Sequence, residues 1–494
     1  MSRRHFMKTT GAVAVAAATH PLTAAADDTG NGSKPNILIV VCDQMNLDAI
    51  AAYKKHFDHK AWLCHWVDTP NLDELVHNGV SFTESHSTNP VCCPARSSMF
   101  TGRHSIETGV VINNVGIDKS VPNMGQWFEE HSDYERVYCG KWHAGGPWNN
   151  PLISGPRKIP GFDTIPNGPD TWGRHMDYGV STGVEAYVRN HKGDKPFLAV
   201  AGFMDPHDIC FWAGKLDNGR TRSTDFFSLG DQLPDLPPNI EYDFDEIWTA
   251  GRESYGAMQW SNYRHDYCRM IERLDRNVGR LLRAVRDRAD DTIIIFTSDH
   301  GDGVGRHSRV SKWHPYDESV KVPLIVYGPN FGIKSNVIDT THLVSGIDLM
   351  ATACDYAGIA TPPHNRGMSL RPLLEGKNTT WRKSVFIELR QVGRVIRSDR
   401  YKYVMSYESP RKGMQSHTND NYLTLDGKAS MFLPDERKQL KRVDKAMLFD
   451  MKSDPWETRN LAANPKYRNV IAQHEAMLSE HERALIPGRE FTRK

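Results

Sequence analysis

Pro35-Asn36-Ile37-Leu38-Ile39-Val40-Val41-Cys42-Asp43-Gln44 is the stretch on which the reading of the fold turns. From Ile37 to Cys42 no polar residue interrupts the run. A strand with one wet face would alternate; an unbroken apolar run is buried on both faces, which is the habit of a parallel sheet between helices. The run ends abruptly in Asp43-Gln44. Open α/β sheets place ligands just past the carboxyl ends of such strands, although a solvated turn accounts for the same two residues.

The pattern recurs downstream. Thr292-Ile293-Ile294-Ile295-Phe296-Thr297 runs into Ser298-Asp299-His300-Gly301, and Phe197–Phe203 runs into Met204-Asp205-Pro206-His207-Asp208. Two strand ends carrying oxygen and nitrogen ligands make a metal site a reasonable expectation. Ile271, Leu274, Val278, Leu281, Leu282 and Val285 recur at helical spacing, with arginines on the solvated side. A further helix begins at Asp348. These features predict an α/β fold, a large mixed, mostly parallel sheet flanked by helices, over residues 35–378. From about residue 380 the pattern changes to short strands at Ser384–Leu389, Gly393–Arg397, Tyr401–Met405 and Leu448–Met451, then a helix over 465–485. Residues 379–494 therefore read as a smaller C-terminal α+β subdomain carrying an antiparallel sheet.

Charge and composition exclude some partners. The 494 residues hold 61 Lys+Arg and 60 Asp+Glu, a net charge of +1, which predicts neither nucleic acid nor an anionic membrane as the main partner. Residues 1–26 stand apart. Ser2-Arg3-Arg4-His5-Phe6-Met7-Lys8 is a twin-arginine pattern, followed by an Ala-rich run and by Ala24-Ala25-Ala26 before Asp27. The run is too short for a stable membrane anchor. It predicts a signal peptide read by the twin-arginine export machinery and a periplasmic or secreted product. Eight cysteines are scattered without a C-x-x-C pair, which argues against zinc and leaves one or two disulfides open after export.

One stretch between the first two strands concentrates chemistry: Cys92-Cys93-Pro94-Ala95-Arg96, running on to Thr101-Gly102-Arg103. Pro94 suits a first helical turn and Gly102 a helix end, which puts Cys92 just before a helix N-terminus. Unpaired N–H groups and Arg96 would favour a thiolate or an anion there. From the residues alone, a reactive site and a buried structural thiol both remain open.

The stretch resembles the C-x-P-x-R signature of the type I sulfatases, members of the alkaline-phosphatase-like superfamily, with Ala95 where most members carry Ser. The resemblance continues through Gly140-Lys141-Trp142-His143, Pro206-His207, Lys312-Trp313-His314-Pro315-Tyr316 and the D-P-x-E stretch at Asp454. It implies that a formylglycine-generating enzyme converts Cys92 to formylglycine. It also implies one divalent metal held by Asp43, Gln44, Cys92, Asp299 and His300, with calcium first and manganese or magnesium open. Many members have Asp at the position of Gln44 and Asn at that of His300. The forms seen here resemble the choline-sulfatase-like, iduronate-sulfatase-like and phosphonate-monoester-hydrolase-like branches. Lys141 and His207 would bind sulfate, His143 would act as base, and Lys312 would reach the ester oxygen. Arg96 would orient the nucleophile, and His307 is expected to line the site. The function implied is hydrolysis of sulfate monoesters of sulfated saccharides. Phosphonate or phosphate ester hydrolysis is the alternative, and a non-catalytic glycan binder is a third reading for a chain whose Cys92 stays unmodified. Loops 144–180 and 211–250 are expected to carry specificity.

Overall fold

A computed structural model describes residues 34–113, 115–144, 159–167, 172–212, 232–241, 251–288, 290–389, 393–407 and 446–485. The signal segment at 1–26 and parts of both specificity loops lie outside the described residues.

The opening stretch forms β1, Asn36–Asp43, buried throughout. In chain order follow β2 (Val80–Phe82), β3 (Ser85–His86), β4 (Glu135–Gly140), β5 (Asp163–Ile165), β6 (Phe197–Pro206), β7 (Thr292–Ser298), β8 (Leu324–Tyr327), β9 (Val337–Asp339) and β10 (Val344–Ser345). Eight of them make one sheet in the order β5-β4-β6-β1-β7-β8-β2-β9, and β3 pairs with β10 separately. β1 pairs in parallel with β6 on one side and β7 on the other. Only β8 runs against its neighbours. The sheet is thus mixed and mostly parallel, as expected.

Burial on both faces is visible residue by residue along β1. Leu38, Val40 and Cys42 enter a core shared with Val180, Val184, Ile271, Leu274 and Val278. Ile37, Ile39 and Val41 enter the opposite core, with Met99, Phe100, Leu349 and Met350. The first face is covered by helices Gly173–Asn190 and Ala257–Arg286, the second by Cys92–Thr101 and Asp348–Ala357. This alternation places the sheet between two helical layers.

The C-terminal region forms a second sheet of β11 (Ser384–Leu389), β12 (Gly393–Ser398), β13 (Tyr401–Ser406) and β14 (Met447–Asp450), antiparallel in chain order. Val385, Ile387, Val395 and Val404 face a core that includes Tyr316 and Val320. Phe386, Ile396, Tyr403 and Leu448 face the closing helix, Arg468–Ala484, through Leu478. None of the eight cysteines is paired, so no disulfide of the expected kind forms; seven are buried and Cys210 is half-buried. Among the described residues no helix is long and apolar enough to cross a membrane.

Candidate active site

Three adjacent strands end at one place. Asp43 closes β1, His207 follows β6, and Asp299-His300 follow β7. Parallel neighbours bring their carboxyl ends together, so residues distant in sequence converge there. The Cys92–Thr101 helix delivers the fourth component. Val91 is its extended N-cap, and Gly102 ends it at φ 68°, donating its N–H to the Ser98 carbonyl at 2.9 Å. Cys92 is the first residue of the helix, one position further in than expected, and Pro94 sits within the first turn.

The Cys92 Sγ lies 3.1 Å from His300 Nε2, 3.8 Å from an Asp43 oxygen and 3.2 Å from Lys312 Nζ. Ligand atoms of Asp43, Cys92, Asp299 and His300 all fall within 4.8 Å of one another, and all four residues are buried. Gln44 stands beside them with φ 73°, a left-handed conformation rare for a side-chain-bearing residue. Its Oε1 accepts from Lys312 Nζ at 2.6 Å.

Cations ring this cluster. Arg96 Nε donates to Asp299 at 2.7 Å and Arg96 Nη2 to Asp43 at 3.3 Å, while Nη1 donates to the Lys141 carbonyl at 2.8 Å. Lys141 Nζ sits 2.7 Å from Asp43 and His207 Nε2 3.9 Å from it. Burial alone would raise Asp43, but Lys141, His207, Lys312 and Arg96 hold it well below the usual carboxylate range. Burial and Asp43 push the Cys92 thiol up; Lys312, Lys141 and His300 outweigh them and bring it well below an ordinary thiol. Burial, then Lys141, lowers His207 to about 4. Burial also lowers His143, and the thiol of Cys92 raises both histidines in opposition. Among the described residues the Nδ1 atoms of His143 and His207 have no hydrogen-bond partner.

Two buried carboxylates side by side have a cost. Burial and the neighbouring Asp43 push Asp299 up to about 6. A divalent cation between them would remove that cost, and the donor set of two carboxylates and an imidazole fits one. Of the residues expected at the site, the structure brings together Asp43, Gln44, Cys92, Arg96, Lys141, His143, His207, Asp299, His300 and Lys312. His307 is not among them. It is fully buried, bonded to Glu318 at 2.8 Å and stacked on Tyr316 at 3.8 Å. Its φ is 51°, a left-handed conformation that motif spacing does not reveal. Asp302, behind Gln44, went unread; an Asp two positions past Asp299-His300 gives no signal without its contacts.

Comparison with known proteins agrees with this geometry. The twin-arginine signal profile matches residues 1–20, which makes the chain an exported one, periplasmic or secreted. The profile of the N-sulphoglucosamine sulphohydrolase C-terminal region matches 305–416. The Δ4,5-hexuronate-2-O-sulfatase of Bacteroides thetaiotaomicron is 30% identical, covering 91% of this chain and 89% of its own. A solved 2-O glycosaminoglycan sulfatase superposes with a TM-score of 0.69 at 26% identity, covering 93% of this chain and 95% of the other. The phosphonate monoester hydrolase of Agrobacterium radiobacter shares the fold at TM-score 0.66 and 22% identity, covering 92% and 96%. The sulfatase profile itself matches residues 35–359, a span that takes in every residue of the cluster, and the chain belongs to the sulfatase family of sulfuric ester hydrolases.

Proposed function

We propose that this sulfatase hydrolyses sulfate monoesters of sulfated carbohydrates outside the cytoplasm, with a nucleophile made from Cys92. The observation that carries the reading is the position of Cys92 Sγ. It lies within 3.2 Å of both His300 and Lys312, beside buried Asp43 and Lys141 and half-buried His143 and His207. Residues 35–378 make up the catalytic part and 379–494 the C-terminal subdomain.

A sulfate ester resists anionic attack until its oxygens are neutralised. Lys141 and Lys312 supply positive charge for them, and His207 a hydrogen-bond donor, at fixed positions. Asp43, Gln44, Asp299, His300 and the residue 92 side chain would hold a divalent cation, with calcium the first choice for a carboxylate-rich set. When bound it supplies Lewis-acid stabilisation of the sulfate charge. Oxidation of Cys92 to formylglycine by its maturation enzyme gives an aldehyde whose hydrate bears two hydroxyls. One hydroxyl gives its proton to the neighbouring Asp299 carboxylate as its oxygen forms the new bond to sulfur and the bond from sulfur to the sugar oxygen breaks. The leaving oxygen takes its proton from His207 or Lys312. The second hydroxyl then loses its proton to His143; the carbon–oxygen double bond reforms and sulfate departs. Arg96, held by Asp43 and Asp299, fixes the helix that carries residue 92.

The relative at 30% identity makes 2-O-sulfated hexuronate saccharides the first substrates to assay, beside sulfated N-acetylglucosamine. Turnover of a 4-nitrophenyl sulfate is expected to exceed that of the matching phenylphosphonate; the reverse order overturns the reading in favour of phosphonate ester hydrolysis. Chelation is expected to abolish turnover and added calcium to restore it. An intact Cys92 thiol in active enzyme, read by peptide mass spectrometry, would exclude the formylglycine mechanism. The same thiol in an inactive, glycan-binding chain would favour the binder.

A further inference from the structure

Asp302 has no part in the reaction above, yet it is fully buried at the edge of the site. One of its oxygens accepts from Gln44 Nε2 at 2.6 Å and from the Ser311 N–H at 2.9 Å. The other accepts from the Val304 N–H at 2.8 Å and the Tyr263 hydroxyl at 3.1 Å. Two of these four donors are backbone N–H groups, which cannot reverse role. The carboxylate is therefore an acceptor on both sides.

Gln44 lies between two groups of opposite character. An acceptor-only carboxylate faces one end of its amide, and a donor-only ammonium, Lys312 Nζ, faces the other at 2.6 Å. An amide has one donor end and one acceptor end. Only one orientation satisfies both neighbours: the NH2 against Asp302 and the oxygen toward Lys312, whose Nζ also reaches the Cys92 Sγ. The main chain of Gln44 is fixed as well. Its N–H donates to Asp299 at 3.1 Å, and its carbonyl accepts from the Tyr267 hydroxyl at 2.6 Å.

We propose that Asp302 is a positioning residue that turns the Gln44 oxygen toward Lys312 and the cation, so that a neutral amide serves as an oxygen ligand. The inference rests on the cation reading above. It accounts for a site that has an amide next to Asp43 without losing negative charge from the neighbourhood. The charge sits one residue back, on Asp302, and reaches the site as the orientation of a dipole.

Asp302→Asn tests this with little change in shape. The new amide can donate to Gln44, so Gln44 is free to flip and present its NH2 to Lys312 and the cation. Calcium and manganese binding to the metal-stripped, matured protein, followed by titration calorimetry, is expected to weaken by about tenfold or more. Gln44→Glu placed on the Asp302→Asn background has an oxygen at each end, so orientation no longer matters, and binding is expected to recover. A purely structural role of Asp302 would leave the double variant as weak as the single one, and that result overturns the inference. Gln44→Met removes the oxygen and leaves Asp302 in place. It is expected to lose affinity to the same extent; unchanged affinity overturns the inference even where Asp302→Asn does not fold. A wild-type protein that binds neither ion overturns the cation reading and the inference together.

Discussion

At the scale of single residues the site is a balance of buried charges, and its parts can be removed one at a time. Cys92→Ala is expected to abolish sulfate ester turnover while the unfolding midpoint stays near that of the wild type, because alanine fits the first turn of the helix. Near-normal turnover would refute the assignment. A second prediction concerns His104, away from the reaction, packed edge-on against Phe386 at 5.0 Å. Burial lowers it to about 3 from an ordinary 6.5, so it stays neutral when folded and takes up a proton on unfolding. Its contribution is fully present above 6.5 and is lost as the pH falls toward the folded value. The stability gap between wild type and His104→Asn should narrow by about 1.4 kcal/mol per pH unit below 6.5, measured by urea unfolding. Asp43, Cys92, Asp299 and His300 were legible because each stands at a strand end or in a motif. Asp302 and His307 were not, because their roles depend on partners such as Gln44, Ser311 and Tyr316 that spacing does not reveal.

Among the elements, β4 shows how tightly a strand end can be specified. Gly140 has φ 98°, and a Cβ there would lie 2.1 Å from the Gly202 carbonyl oxygen on β6. Lys141 follows directly, its N–H donating to that same oxygen at 2.8 Å. Gly140→Ala is expected to cost about 1–3 kcal/mol of stability and to lower turnover by displacing Lys141 and His143. Thermal melts and steady-state kinetics check both; a variant with wild-type values in each would sink the argument. The strands themselves were readable from their apolar runs, and the second sheet appears at the residues expected for it. Strands β2, β3, β5, β9 and β10 were not read, since each has only two or three residues and too little pattern to register, and β4 was not read because its apolar run is only three residues long. The order of the sheet was equally hidden, because pairing is a property of distant segments.

At the scale of the whole molecule, charge ties the C-terminal sheet to the segment beside the site. Lys402 on β13 is fully buried and bonds Asp317 at 2.7 Å and also Glu457. Asp317 opens the short helical turn that follows the Lys312–Tyr316 loop, so the second sheet holds the segment bearing Lys312. Lys402→Met strands the buried Glu457 and the half-buried Asp317 and is expected to cost about 3–5 kcal/mol in equilibrium unfolding, with turnover reduced as well. Wild-type stability in that variant would show the pair to be dispensable. Enclosure of this kind also reaches Cys92, which is 1% exposed at the centre of the folded chain. On the mechanism proposed above, a chain that folds first would keep its thiol out of reach of the maturation enzyme. Slower translation is then expected to raise the active fraction of a preparation, and prolonged incubation of folded protein to leave it unchanged.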